Sequence, residues 1–109
     1  MPRTLPAPAT EIQQREERVP LFNVVLLNDD DHTYDYVIEM LGAIFLHPAH
    51  VAFHHAVEVD TTGRTIVMTC ERAQAEFGRD QIQTYGDDPR METSKGSMSA
   101  IIEPVTSSS

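Results

Sequence analysis

The chain's clearest pattern is an unbroken apolar run, "FNVVLL" at residues 22–27, rich in β-branched side chains and apolar on both faces. Such a run predicts a short central strand. After "NDDDHT" come Val37, Met40, Leu41, Ile44 and Phe45, whose i, i+3, i+4, i+7, i+8 spacing predicts a helix with one apolar stripe. Thr33 or Asp31 can cap it, and Asp35 falls in its positive first turn. Pro48 suits the first position of a second helix, which carries Val51, Ala52, His55, Ala56 and Val59 before stopping near "DTTG". Arg64 to Cys70 alternates, with Ile66, Met68 and Cys70 on one side, and predicts a strand. "ERAQAEFGRDQIQTY" predicts a third helix with Gly78 as its weak point, "GDDPRMETSKGS" a polar loop, and "MSAIIE" a last strand. The order β-α-α-β-α-β predicts an α+β fold, a small three-stranded antiparallel sheet packed against three helices.

A chain of 109 residues has room for one such core. Residues 1–20 hold four of the seven prolines and few large apolar groups, so they predict a flexible N-terminal arm with at most a marginal helical turn near Glu11 to Arg18. The core domain is then 21–105, and 106–109 is a disordered tail. Seventeen acidic residues against eight basic ones give a formal charge of -9. That charge disfavours nucleic acid and anionic membrane and favours cationic partners. A single cysteine, Cys70, excludes a disulfide framework and a multi-thiolate zinc site. No apolar run approaches the roughly 20 residues that span a bilayer, and the N-terminus lacks a secretory apolar stretch, so the cytoplasm is expected. With no nucleophile–base pair and no phosphate loop, neither an enzyme nor a cofactor is expected.

Two clusters remain. Asn28, Asp29, Asp30 and Asp31 lie between strand and helix, where one or two such residues would serve as ordinary turn and cap chemistry. Three adjacent carboxylates repel one another, a burden an external metal ion or ammonium would relieve. "NDDDH" lacks the alternating ligands and glycine of a calcium loop, and composition does not choose among turn, metal and amine. His47, His50 and His54 recur at i, i+3, i+7 and can share a face of the second helix. That face is either simply solvated or half a zinc site in need of a third ligand.

"FNVVLLNDDDHTYDYVIEML" resembles the signature of the ClpS family, adaptors that hand N-degron substrates to a Clp-type AAA+ unfoldase, and the similarity continues through "AVEVDTTGRTIV" to "AIIE". The resemblance implies that Asn28 and Asp30 bind a substrate's free α-ammonium, with Asp29 supporting the turn. It implies an adjacent pocket for a bulky first side chain, with Val37 and Met98 in its wall. Asp60 stands where the family has a pocket His and could still accept from the amine. His32 replaces a usual Thr and would cap, line the rim or face solvent. Tyr34 takes the place of a gating Met and Ala56 that of another pocket Met, either enlarging the cavity or filling one volume together. The implied partner is the N-domain of a ClpA- or ClpC-type unfoldase, bound by a monomer. Of that docking surface the third helix keeps Glu76, with Arg79 one step off, and it has Ala73 and Gly78 at the usual Glu and Lys positions. The alternative is a divergent module of the same fold that no longer reads N-termini and binds metal through its His face.

Overall fold

β1 (Leu21–Leu27) is the middle strand of a three-stranded antiparallel sheet, with β2 (Arg64–Glu71) and β3 (Ser99–Pro104) on its flanks. That central place is why it is apolar on both faces: Val24, Val25 and Leu26 have no exposed surface. Val24 and Leu26 join the helix-side core, whereas Val25 lies between Ile66 and Ile101 across the opposite face. The helices are α1 (Tyr34–Phe45), α2 (Ala49–Thr62) and α3 (Arg72–Gln83). Their inward side chains, among them Met40, Leu41, Val59 and Ile82, close the core, each large one contributing about 1.5–3 kcal/mol. The expected α+β fold and the order β-α-α-β-α-β are therefore observed. This computed structural model describes residues 19–106. The expected arm up to residue 18, its helical turn and residues 107–109 lie outside them.

Two local expectations are corrected. In β2, strict alternation fails: Thr65 and Val67 are buried while Ile66 is 43% exposed, so Ile66 does not share a face with Met68 and Cys70. The cause is a bulge, since Val24 pairs with Met68 but Val25 with Ile66, leaving Val67 as the extra residue that reverses the alternation. His47 is not on α2. Leu46 takes the left-handed conformation at φ 60° and ends α1, and Pro48 caps α2, which starts at Ala49. His47 thus sits in the connection, its Nε2 2.7 Å from the Val67 carbonyl oxygen and its ring 5.3 Å from that of His55.

Candidate functional site

The acidic turn is held at both ends. The Asn28 N–H donates to the Gly63 carbonyl at 3.0 Å, fixing the turn against the end of α2, where Gly63 adopts φ 94°. At the other end Thr33 is the N-cap of α1, its hydroxyl oxygen accepting the Tyr36 N–H at 3.1 Å. Thr33 in turn donates its N–H and its hydroxyl to Asp88 Oδ2, both at 2.8 Å. Asp88 is fully buried and also accepts from the Arg90 N–H and guanidinium. Burial alone would raise its carboxyl, but the Thr33 and Arg90 donors outweigh burial and hold it at about 2. The stretch between α3 and β3, expected only as a polar loop, is therefore bolted onto the start of α1.

Within the turn the acids divide their labour. Asp29 Oδ1 accepts the Asp31 N–H at 2.9 Å and lies 2.7 Å from His32 Nδ1. Asn28 and Asp30 are exposed, and among the described residues neither side chain makes a hydrogen bond. An exposed amide and carboxylate, both unspent, face solvent beside the C-terminal end of α2, whose carbonyl dipoles also favour a cation. His32 takes none of its expected places as cap, at the rim or in solvent: Thr33 is the N-cap, and the His32 side chain is only 4% exposed and is bonded inward.

Asp60, in the last turn of α2, accepts the Tyr34 hydroxyl at 2.5 Å, and the Tyr34 ring meets Phe53 edge-on at 6.1 Å. The bond to Asp60, then burial, pushes the Tyr34 phenol above its usual range. Phe53, Ala56 and Asp60 fall at i, i+3, i+7 of α2, so the Tyr34 ring spans the stripe on which Ala56 lies. Ala56 is wholly buried, and Val37 and Met98 are each 3% exposed within the core. Ala56, Val37 and Met98 thus present almost no surface in this conformation. Three surface cavities of ≈ 300, 330 and 310 Å³ lie elsewhere, and none is lined by the residues expected in the side-chain pocket.

The other candidates separate. His50 and His54 are exposed on α2 without His47, and among the described residues no group of three or more His, Cys, Asp or Glu could hold a metal ion. His55 contacts Thr65 Oγ1 at 2.8 Å, and burial followed by neighbouring His47 depresses its basicity. On α3, Glu76 pairs with Arg72 at 3.1 Å and Arg79 with Asp80 at 3.0 Å. Gly78 is buried because the Phe45 ring occupies the space a side chain would need, and Phe77 is 65% exposed beside it. Sequence reasoning missed Asp88 and the anchoring loop, since nothing in the sequence separates Asp88 from Asp87 and Glu92 in the same polar stretch.

The architecture is thus a small antiparallel sheet backed by three helices, with an exposed amide and carboxylate at one corner. Residues 17–91 match the family described as ATP-dependent Clp protease adaptor protein ClpS, and the chain belongs to that family. Among solved structures it is similar to Agrobacterium tumefaciens ClpS2 bound to L-phenylalaninamide, at 25% identity and a TM-score of 0.70, over 81% of this chain and 100% of that one. No curated protein matches it.

Proposed function

We propose that this Clp adaptor captures the free α-amino group and bulky apolar first side chain of N-degron substrates and delivers them to a Clp-type AAA+ unfoldase. The observation that carries the reading is the division within the turn: Asp29 Oδ1 is engaged internally by the Asp31 N–H and His32, while the Asn28 and Asp30 side chains are exposed and, among the described residues, make no hydrogen bond. An ammonium supplies the donors this pair lacks, and a charged pairing makes those bonds strong. The solved relative, ClpS2, holds a ligand of the matching kind, an amino-acid amide with a free amine.

A bulky side chain entering between α1 and α2 beside Ala56 would displace the Tyr34 ring, which bridges Phe53 and Asp60, and so break its bond to Asp60. Asp60 is thereby released to accept from the arriving ammonium, so one donor replaces another. Burying a Leu or Phe side chain contributes about 1.5–3 kcal/mol. Acetylation leaves the acceptors unpaired, at a cost of about 1–3 kcal/mol. For delivery, α3 offers Phe77, Glu76 paired with Arg72 and Arg79 paired with Asp80 rather than the family's Glu and Lys, which fits a modified docking mode.

Fluorescence anisotropy with peptides beginning Leu, Phe, Tyr, Trp, Met or Ala, each free and N-acetylated, tests the proposal. Free bulky N-termini are expected to bind at least about tenfold more tightly than their acetylated forms, and Asp30→Ala to abolish that preference. Equal binding of free and acetylated peptides would sink the reading.

A further inference from the structure

We infer that His32 is a positioning residue for the amine-binding turn, holding Asp29 inward so that Asn28 and Asp30 stay presented. The inference rests on the proposed reading of that turn. His32 Nδ1 lies 2.7 Å from Asp29 Oδ1, and Nε2 lies 2.7 Å from the Gly96 carbonyl oxygen, with Ser94 Oγ 3.3 Å away. The ring rests on Tyr36 at 4.5 Å, and the Tyr36 hydroxyl donates to the Gly86 carbonyl at 2.5 Å. One imidazole is therefore wedged between the turn, α1 and the loop leading to β3.

The two closest partners, a carboxylate and a carbonyl, are both acceptors and sit on different ring nitrogens. A single hydroxyl, with one proton to give, cannot serve both, whereas an imidazole can present an N–H toward each when charged. With the Asp31 N–H already on it, Asp29 Oδ1 has two donors from its own chain and needs none from outside. Without His32, Asp29 would join Asp30 and Asp31 as a third uncompensated acid in a row, and their repulsion would loosen the turn. The loop would also lose its tie at Gly96. Acceptors that must be ordered at the moment of binding hold a ligand less tightly than acceptors already fixed.

The experiment uses the full chain, with L-phenylalaninamide and its N-acetylated form as probes. Calorimetry compares wild type, His32→Ala, His32→Gln and Ile82→Val, the last a core change in α3 that controls for lost stability. The backbone amide resonance of Asp31 is followed in parallel. His32→Ala is expected to weaken L-phenylalaninamide binding at least about tenfold, the size of one charged hydrogen bond, and to shift the Asp31 amide upfield. His32→Gln, which keeps one donor for Asp29, should recover part of both signals, and Ile82→Val should change neither. If His32→Ala does not fold, His32→Gln against Ile82→Val carries the comparison. Binding within about twofold of wild type, with the Asp31 amide unmoved, overturns the inference. A wild type that fails to distinguish the two probes instead overturns the amine reading, and the Asp31 amide alone then decides whether His32 holds the turn.

Discussion

Without its carboxylate, residue 88 would leave the Thr33 N–H and hydroxyl and the Arg90 N–H without their acceptor at the entrance to α1. Asp88→Ala is accordingly expected to cost about 2–4 kcal/mol, since each unpaired buried donor carries its own desolvation cost. Acid provides a milder version of the same test. The folded protein holds this carboxyl at about 2, below the ordinary 3.8, so the unfolded chain binds the proton more readily. The stabilisation is present above roughly pH 4 and is lost as pH falls toward 2. Urea unfolding of wild type and Asp88→Asn should show a gap that is constant from pH 7 to about 4 and narrows below it; a gap independent of pH would contradict this. Asp88 and His32 also mark the limit of what could be read from the chain. Their partners lie 55 and 64 residues away, and no local pattern discloses contacts made only after folding. The exposed turn that carries Asn28 and Asp30 was legible because it is local.

At the scale of elements, the apolar pattern placed all three helices and all three strands, because the central strand is apolar on both faces and its neighbours and the helices bury one. It erred where an element departs from that period. The extra residue Val67 could not be foreseen, since a bulge is fixed by pairing with β1 and not by β2 itself. Gly78, singled out as the weak point of its helix, has a packing reason as well. A Cβ there would stand 2.9 Å from Phe45 Cε1, so the position is small because α1 and α3 meet at it. Gly78→Val is expected to destabilise the protein by about 1–3 kcal/mol, and Phe45→Leu in the same chain should restore part of the loss. Thermal unfolding of the three variants checks this, and a Gly78→Val protein as stable as wild type would refute it. The same contact explains why a long docking side chain cannot occupy this position without displacing Phe45.

Across the whole molecule, the charge of -9 surrounds a corner that we assign to a cation. Long-range attraction should therefore speed the arrival of basic ligands more than it tightens their final contacts. Stopped-flow association of a Phe-initiated peptide carrying Lys residues downstream should slow several-fold between about 0.05 and 0.5 M salt, while a Glu-bearing counterpart should change little or accelerate. Identical salt dependence for the two peptides would show that the overall field plays no part.

The loop anchored by Asp88 and Gly96 comes late in the sequence, whereas the acids it braces come early. During synthesis, a ribosome-bound chain that has not yet extruded its final quarter carries three crowded carboxylates with neither brace in place. The corner is thus assembled from both ends of the polypeptide, and a prematurely terminated copy would lack a finished one.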